Sequence, residues 1–412
     1  MKLVMTMMVR DEADIIDAVI RFSLDQGVDL ILVTDNGSVD GTVERLEEYV
    51  RAGQVVLQHE PRQLKEQYRA VTRMAREAYT EHGADWVINA DADEFWLPVD
   101  RSLTLAEALA EIPPSVGAFP VPVVNMIGPI ALSGPGFDRL VWRDNRSEGQ
   151  LRDAGLRAHP TPNVVHVGSG DVDVAQGNHF VTIEQKGEPD PRFAIEVLHL
   201  PWRSWRQFEH KTEISGRAYA SNPDLAPSPN HHGMKEYTRH LEGRLLPSYV
   251  LRFPTPEELE RGAAAGDFVR DETLVEYLDG RGDAVRALLP PDEALPEREE
   301  AEARAAGRAF LAMEQAFEAR IAVVQGAHDQ AVAERDAARQ EVLGLQDDVR
   351  SLRGEVNGLR SDHARLGSEL AETRAALDRA EEQVRRIHAV PVVRVAIAVR
   401  NRARSLGNVT RR

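Results

Sequence analysis

The chain has 412 residues, of which 42% are hydrophobic and 28% charged, with a formal net charge of −17 and no cysteine. This length allows two or three domains and a large core, while the acidic balance argues against a nucleic-acid partner. Without cysteine there are no disulfides, thiol catalysis or zinc–thiolate sites, which fits a reducing compartment. We find no signal peptide and no apolar run of about twenty residues, and therefore expect a cytoplasmic protein.

Strand and helix patterns alternate through the first ninety residues. Short apolar runs predict buried strands, and apolar residues at helical spacing predict helices between them. The predicted strands are Leu3–Val9, Asp29–Thr34, Gln54–Gln58 and Asp85–Ala90. The predicted helices are Glu12–Gln26, Val43–Ala52 and Gln63–His82. This alternation predicts an α/β fold with a mainly parallel, doubly wound sheet.

From residue 113 to residue 200 the pattern changes to short β-rich runs separated by Gly, Pro and Asp. These runs predict an antiparallel, loop-rich half that shapes a pocket, and residues 204–220 predict a helix. The runs are Ala118–Val124, Leu140–Trp142, Asn163–Val167, Phe180–Ile183 and Ala194–Leu200. We place a first domain at residues 1–220 and a mixed, mostly helical extension at residues 221–300.

Residues 301–387 predict a long helix that forms a coiled coil, with heptads clearest in residues 342–387. Valine is frequent at position a, as in Val349 and Val356, and leucine at position d, as in Leu352 and Leu359. This choice favours parallel two-stranded coils, and three of the four g–e pairs from Asp348 onward join an acid to a base. We therefore expect a homodimer; the alternative is a lone amphipathic helix packed on the globular part.

The C-terminal segment, residues 388–412, carries six arginines and no acidic residue. Apolar residues lie among these arginines, so the segment is basic and amphipathic. Such a segment can lie on an anionic membrane surface, which would place the protein at the inner face of the membrane. The alternative is a solvated tail.

Three polar motifs follow the predicted parallel strands. They are Arg10-Asp11-Glu12, the Asp35-to-Thr42 loop and Asp91-Ala92-Asp93-Glu94. Because the carboxyl ends of parallel strands meet at one edge of a sheet, the three motifs should line one crevice. Asp91 and Asp93 are spaced i, i+2 and repel each other unless a cation lies between them. Their oxygens suit Mg²⁺ or Mn²⁺, ions that commonly carry substrate phosphates.

On these three motifs, residues 1–215 resemble the family 2 glycosyltransferases with the GT-A fold, in the branch with an N-terminal Arg-Asp/Asn-Glu motif. The resemblance implies a GT-A type, Rossmann-like sheet with an antiparallel acceptor-side half. It also implies a metal-dependent transfer of a sugar from a nucleoside-diphosphate sugar to an acceptor hydroxyl. UDP is the commonest base in this family, with GDP and dTDP left open.

The resemblance also implies roles for particular residues. Arg10, Glu12 and Asp35 would bind the nucleotide, Asp91 would lie near the ribose and the metal, and Asp93 would ligate Mn²⁺ or Mg²⁺. A downstream histidine often completes such a metal site, and the candidate is His199; the alternative is a histidine bonded to backbone at a strand end.

Three cations after His199 are candidates to neutralise the leaving diphosphate. They are Arg203, Arg206 and Lys211, and Arg203 is the residue we assign to substrate binding. The alternative is that these are ordinary helix-surface charges.

An inverting transfer needs a carboxylate that takes the acceptor proton. The candidates are Glu184, whose distance past the acidic motif is what the family resemblance implies, and Asp138; Asp171, Asp173 and Glu196 compete with them. The acceptor is expected to be a glycan or a lipid-linked acceptor in the assembly of a cell-surface glycan or polysaccharide. Two other functions stay open: a non-catalytic coiled-coil scaffold with a degenerate GT-A domain, and a nucleotidyltransferase, which would ordinarily show a glycine-rich basic loop after the first strand.

Overall fold

The computed structural model of the chain describes residues 1–60, 67–156, 158–221, 232–281 and 283–407. The chain divides into two units, Met1–Ala316 and Phe317–Arg412. The first holds all the strands that the structure describes, and the second consists of helix.

The strands and helices alternate as far as the fourth strand, as the sequence pattern predicts. The strands are β1 (Leu3–Val9), β2 (Leu30–Asp35), β3 (Val55–His59), β4 (Trp86–Ala90), β5 (Glu94–Pro98), β6 (Ala118–Val121), β7 (Val123–Ile127), β8 (Ala131–Ser133), β9 (Trp142–Asp144), β10 (Asn163–Val167), β11 (Ile195–His199), β12 (Phe268–Arg270) and β13 (Glu293–Ala294). The helices are α1 (Ile16–Asp25), α2 (Thr42–Arg51), α3 (Gln67–Thr80), α4 (Leu105–Ala110), α5 (Glu148–Asp153), α6 (Trp205–Ser221), α7 (His232–Leu241), α8 (Leu245–Val250), α9 (Pro256–Ala265), α10 (Thr273–Gly280), α11 (Asp283–Arg286), α12 (Glu297–Ala389) and α13 (Pro391–Gly407).

A mixed sheet forms the centre of the first unit, in the strand order β3-β2-β1-β4-β10-β6. Strands β3, β2, β1 and β4 pair in parallel, whereas β10 pairs antiparallel with β4 and with β6. One face of this sheet packs into the main core and the other packs against α3 through Met74 and Ala75. The predicted α/β class, with parallel strands followed by antiparallel ones, is confirmed.

A second sheet, in the order β12-β9-β7-β11-β5, begins where the first sheet ends. The chain leaves β4, turns at residues 91–93 and enters β5 directly. Strand β11 lies between β5 and β7, so that His199 is paired with Glu94 on one side and with Asn125 on the other. The acidic motif therefore lies at the junction of the two sheets, and the last residue of β11 lies beside it.

Several predicted elements differ from the observed ones. The run Ala118–Val124 is divided between β6 and β7, which lie in different sheets, and Leu140–Trp142 overlaps β9 only at Trp142. Helix α1 begins at Ile16 rather than Glu12, because the backbone of residues 11–13 is held in a loop by side chains of the second motif. Phe180–Ile183 is not a strand in the structure: its one β contact is an isolated bridge between Val181 and Val174. The predicted start of the third helix, residues 63–66, lies outside the described residues.

The second unit is the remainder of α12 followed by α13, which begins with proline at its first position, where a missing N–H is tolerated. Large apolar side chains along this part of α12 are exposed. In the register proposed from the sequence, Val323 and Leu343 lie outside the seam, and the others lie at a and d: Phe317, Ile321, Val324, Val342, Leu345, Val349, Leu352, Val356, Leu359, Leu366, Leu370, Leu377, Val384 and Ile387. No helix among the described residues has the length and apolarity required to cross a membrane.

Candidate functional site

A cavity of about 210 Å³ opens at the carboxyl edge of the parallel strands. Its walls come from the ends of β1 and β4, from the start of α3 and from one face of α6. The lining residues are Met8, Val9, Arg10, Asp11, Glu12, Asn36, Gln67, Asp91, Ala92, Asp93, Gln207, His210, Lys211, Ile214, Ser215 and Ala218. Arg10, Glu12, Asp91 and Asp93, four of the residues that the sequence analysis selects, thus meet in one place.

The first motif is locked against the second by hydrogen bonds to its backbone. Asp11 has a φ of 55°, in the left-handed region that few non-glycine residues adopt. Its N–H donates to Ser38 Oγ at 3.0 Å, and its carboxylate accepts from Val39 N–H at 2.8 Å. Glu12 N–H donates to Thr42 Oγ1 at 2.9 Å. This loop aims the side chains of Arg10 and Glu12 at the cavity.

Arg10 carries a buried donor. Its Nε makes no hydrogen bond to any residue that the structure describes, and Asp11 Oδ2 lies 3.7 Å from it. Buried donors of this kind are usually satisfied, so Arg10 is suited to meet a ligand oxygen.

Asp35 does not line the cavity as the structure describes it. Its buried carboxylate accepts from Gly37 N–H at 3.0 Å and from Ser38 N–H at 3.1 Å. Gly37, with φ of 80°, makes this tight turn accessible. Asp35 therefore shapes the loop, and the neighbouring Asn36 reaches the cavity wall.

Arg203 also lies away from the cavity wall. It is fully buried, pairs with Glu12, and donates from Nε to Asp14 at 2.7 Å and from Nη2 to Asp14 at 2.9 Å. Its Nη1 lies 3.9 Å from Asp93 Oδ2. Arg203 was expected to contact a diphosphate, but in the structure its side chain instead connects the loop of Glu12 and Asp14 to the segment before α6.

Glu12, by contrast, lines the cavity. Burial raises the pKa of its carboxyl to about 7, against the opposing effect of Arg203 and Lys211. It can therefore exist as the neutral acid near neutral pH.

The two aspartates of the acidic motif have different environments. Asp91 Oδ1 accepts hydrogen bonds from Gln67 Nε2 and Asn178 Nδ2, each at 3.1 Å, and burial together with the charge of Asp93 raises its pKa. Asp93 is 1% exposed. Although burial opposes it, the positive charges of Lys211 and His199 hold the pKa of Asp93 well below its usual range. Asp93 is thus the permanently ionised member of the pair.

One oxygen of Asp93 has a partner and the other is available. Oδ2 accepts from Lys211 Nζ at 3.0 Å, whereas Oδ1 is buried and makes no hydrogen bond within the described residues. His199 Nε2 faces this second oxygen at 3.6 Å, too far for a hydrogen bond. Two ligand atoms at this separation can share a cation between them.

The residues present fit a divalent cation bound in this way. No three His, Asp or Glu side chains in the described ranges converge as a closed metal cage does, but Mg²⁺ usually takes one or two carboxylates and completes its shell with water and substrate phosphates. Asp93 and His199 would supply the protein ligands. Asp91, whose Oδ1 accepts two hydrogen bonds, lies beside them.

Two basic side chains on α6 face the cavity. Lys211 is half-exposed and contacts Asp93, and His210 Nε2 lies 2.8 Å from Asp11 Oδ2. The third predicted cation of this segment, Arg206, instead pairs with Glu293 on the surface. Lys211 is therefore the cation of the segment that is placed to meet a diphosphate.

Glu94, the last residue of the acidic motif, is a buried polar group to which the sequence analysis assigned no role. Glu94 Oε1 accepts from Asn163 Nδ2 at 2.7 Å, and Oε2 accepts from Asp91 N–H at 3.1 Å. Asn163 Oδ1 in turn lies 3.0 Å from His179 Nδ1. Burial, reinforced by the charge of Asp91, raises the pKa of Glu94 to about 7. The sequence signal was available, since Glu94 directly follows the two aspartates.

The loop beside Asp91 was missed as well. Asn178 has a φ of 64° and is 1% exposed, and its side-chain oxygen makes no hydrogen bond to a described residue. Strained, buried residues of this kind are concentrated at functional sites. The sequence offered only a Gly177-Asn178 turn signal here.

The candidate bases do not meet at the cavity. Glu184 is exposed, and its segment runs beside Gly117, at the opposite end of the sheet from the acidic motif. Asp138 pairs with Arg286 on the surface. The other candidates are also distant or occupied: Asp171 and Asp173 are exposed, and Glu196 is paired with Arg101 and Arg143.

Residues 6–128 match the profile of glycosyl transferase family 2. The matched segment contains the three motifs and all of the cavity except the face of α6. The resemblance stated from the sequence is confirmed, and the match supports a glycosyltransferase.

Solved structures similar to this chain include TarS 1–349 from S. aureus, with 11% identity over 77% of this chain and 91% of that one, and a TM-score of 0.29. The same protein in complex with UDP-GlcNAc has 12% identity, 77% and 92% coverage, and a TM-score of 0.30. Glucosyl-3-phosphoglycerate synthase from Mycobacterium tuberculosis, in complex with Mn²⁺, UDP and glucosyl-3-phosphoglycerate, is 18% identical to this chain. The match covers 40% of this chain and 56% of that one, with a TM-score of 0.22. No curated protein matches the chain. Scores this far below 0.5 leave the family profile as the comparison that bears on function.

Proposed function

We propose that the chain transfers a sugar from a nucleoside-diphosphate sugar, with UDP the favoured nucleotide, to an acceptor hydroxyl, with inversion and with a divalent cation. The observation that carries this proposal is the buried, ionised Asp93, whose Oδ1 lacks a hydrogen-bond partner and faces His199 at the edge of the cavity. A buried, ionised carboxylate with one oxygen that makes no hydrogen bond is suited to bind a cation. The family match supports the transfer of a sugar.

The cavity supplies the remaining donor contacts. Arg10 can donate hydrogen bonds to oxygens of the nucleotide, and Glu12 and Asp91 can accept them from its N–H and hydroxyl groups. Lys211 neutralises charge on the diphosphate. When bound between Asp93 and His199, Mn²⁺ or Mg²⁺ supplies Lewis-acid stabilisation of the leaving diphosphate.

We also propose that the chain forms a homodimer and contacts a membrane. The exposed a and d side chains of α12 support a parallel two-stranded coil and thus a homodimer. The basic helix α13 supports peripheral contact with an anionic membrane, at its cytoplasmic face. A membrane-adjacent position suits a lipid-linked or glycan acceptor in cell-surface polysaccharide assembly.

The donor assignment is tested by thermal unfolding of the full chain with UDP, GDP or dTDP, each with and without Mn²⁺. We expect UDP to raise the unfolding temperature more with Mn²⁺ than without it, by several degrees. A folded sample that responds to none of the three nucleotides would instead support the non-catalytic scaffold.

The same measurement on Asp93→Asn isolates the metal. We expect this variant to lose the Mn²⁺-dependent part of the shift and to turn over the donor at least 100-fold more slowly, since it removes the ionised ligand. Asp138→Asn is the matched control, because Asp138 is a surface carboxylate paired with Arg286. Full metal-dependent activity in Asp93→Asn would reject the metal assignment.

A further inference from the structure

His199 is held between two strands by residues that differ in charge. On one side its backbone pairs with Glu94 of β5, and on the other with Asn125 of β7. Asn125 is buried, at 7% exposure, and interrupts the otherwise apolar run of Val123, Val124 and Met126. A buried amide in such a strand needs a polar partner.

The partner of Asn125 is the imidazole of His199. Asn125 Oδ1 lies 2.9 Å from His199 Nδ1. A carboxamide oxygen can only accept a hydrogen bond, so Nδ1 carries the proton. In the neutral ring the lone pair is then on Nε2, the atom that faces Asp93 Oδ1 at 3.6 Å. Without a cation, Nε2 can keep its own proton toward Asp93, because, although burial opposes it, the charge of Asp93 raises the pKa of His199; a bound cation would take the place of that proton.

We propose that Asn125 is a positioning residue that holds His199 in the Nδ1–H tautomer and so presents Nε2 to the cation at Asp93. The inference rests on the proposed metal-dependent function. Metal-ligating histidines usually donate their second ring N–H to a fixed acceptor, and removal of that acceptor typically weakens metal binding 10- to 100-fold. Asn125 contributes that acceptor from a strand interior, where its orientation is fixed by the sheet.

A purely structural role makes a different expectation. If Asn125 only fills the space between β7 and β11, its replacement changes the unfolding temperature and leaves the metal environment unchanged. The two roles are separated by a spectroscopic signal from the metal itself. Electron spin echo modulation of bound Mn²⁺ detects a directly ligated imidazole nitrogen.

The experiment uses the full chain saturated with UDP and titrated with Mn²⁺. Wild type should show nitrogen modulation, and His199→Ala should abolish it. His210→Ala, which removes another imidazole of the cavity, should keep it. Asn125→Leu should bind Mn²⁺ at least 10-fold more weakly and lose most of the modulation. Asn125→Asp, which preserves an acceptor for Nδ1–H, should retain the nitrogen signal.

Wild-type affinity and unchanged nitrogen modulation in Asn125→Leu would overturn the inference. Mn²⁺ bound by the wild type without any nitrogen modulation would also overturn it, while leaving a metal-dependent transferase intact. If the wild type binds UDP but no Mn²⁺, both the inference about Asn125 and the metal part of the proposed function are wrong. Should Asn125→Leu not fold, Asn125→Ala replaces it, with the same expected loss.

Discussion

Lys211 connects the ionised aspartate to the open part of the cavity. Its ammonium lies 3.0 Å from Asp93 Oδ2, while half of the side chain remains exposed to the cavity. A diphosphate that enters with its cation brings two negative charges within reach of the same ammonium. We expect Lys211→Met to weaken UDP binding about tenfold, because one charge-assisted hydrogen bond is worth roughly 1.5–3 kcal/mol. Isothermal titration with UDP in the presence of Mn²⁺ measures the change.

The same variant separates two roles of Lys211. If the ammonium also compensates Asp93 before a cation arrives, Lys211→Met should bind Mn²⁺ more tightly than wild type when no nucleotide is present. Lys211→Arg should recover most of the UDP affinity, because it retains the charge. Arg206→Gln is the control, since Arg206 lies on the same helix and pairs with Glu293. Equal UDP affinity in Lys211→Met and wild type would remove Lys211 from the diphosphate site.

Glu94 makes the stability of the first unit depend on pH. Its pKa is about 7, against an ordinary value of 4.5, so the folded chain binds this proton more tightly than the unfolded chain. The contribution of Glu94 to the free energy of unfolding is therefore complete below pH 4.5 and is lost as the pH rises through 7. Between pH 5 and pH 8 this loss amounts to a few kcal/mol at most, since one pKa unit corresponds to roughly 1.4 kcal/mol.

Glu94→Gln should flatten that pH dependence. The variant is expected to be less stable at pH 5, because its amide cannot accept from every donor around Glu94, but to lose less stability than wild type on going to pH 8. Urea unfolding in EDTA, followed by tryptophan fluorescence, reports the relevant unit, since all five tryptophans precede residue 206. Parallel pH curves for the two proteins would show that Glu94 does not titrate in this range.

The position of residues at the carboxyl ends of parallel strands predicts which side chains line the cavity. It does not predict the residues that hold those side chains in place. Arg10, Glu12, Asp91 and Asp93 each adjoin a parallel strand, so sequence position and sheet topology together bring them to one edge. Asn125 contacts the site from a separate strand, and that pairing depends on tertiary structure. Its presence in an apolar run was a usable signal. The prediction for Arg203 did not include its local partners: Asp14 and Glu12 bind its Nε and Nη2, whereas its buried Nη1 makes no hydrogen bond to a described residue.

At the scale of elements, apolar runs determine the parallel sheet well. The predicted Leu3–Val9 agrees with β1 at both ends, because β1 is buried along almost its whole length and is apolar at every position except Thr6. The antiparallel half is less predictable, since its short strands pair across long sequence separations. Phe180–Ile183 has a strand-like composition, but its chain makes only an isolated bridge.

The exposed seam of α12 makes a direct prediction about pairing. Leu359, at a d position, is 69% exposed in the single chain. Leu359→Asp should convert the dimer to a monomer, because two carboxylates would meet in an apolar seam. Ser361→Asp places the same charge at the outer f position and should leave the dimer intact. Sedimentation equilibrium distinguishes the two states.

Truncation provides the complementary test of pairing. A chain that lacks residues 340–412 should be monomeric and should still bind nucleotide, because the cavity lies entirely within the first unit. If that chain sediments as a dimer, the contact lies outside the heptads. A dimer in both Leu359→Asp and Ser361→Asp would lead to the same conclusion.

At the scale of the whole molecule, charge is divided between an acidic chain and a basic end. Residues 388–412 carry six arginines and no acidic residue, against a net charge of −17 overall. Within α13, Val392, Val395 and Val399 are exposed and follow the spacing i, i+3, i+7, so they share one helix face. A parallel coil would bring two such ends together. Membrane affinity and pairing should therefore be coupled.

This coupling can be measured by flotation of the full chain with lipid vesicles. Each arginine near an anionic surface contributes about 1 kcal/mol, and two linked ends bind with the effective concentration of an intramolecular step. We expect binding to phosphatidylserine-containing vesicles and little binding to pure phosphatidylcholine. Because 0.5 M NaCl screens the attraction between the arginines and the anionic lipid, it should release the protein. Leu359→Asp, with its basic end intact, should bind at least tenfold more weakly, and Ser361→Asp should bind like wild type. Removal of residues 388–412 should abolish binding.

Equal binding to neutral and anionic vesicles would exclude an electrostatic contact, and equal binding by Leu359→Asp and wild type would show that one basic end acts alone.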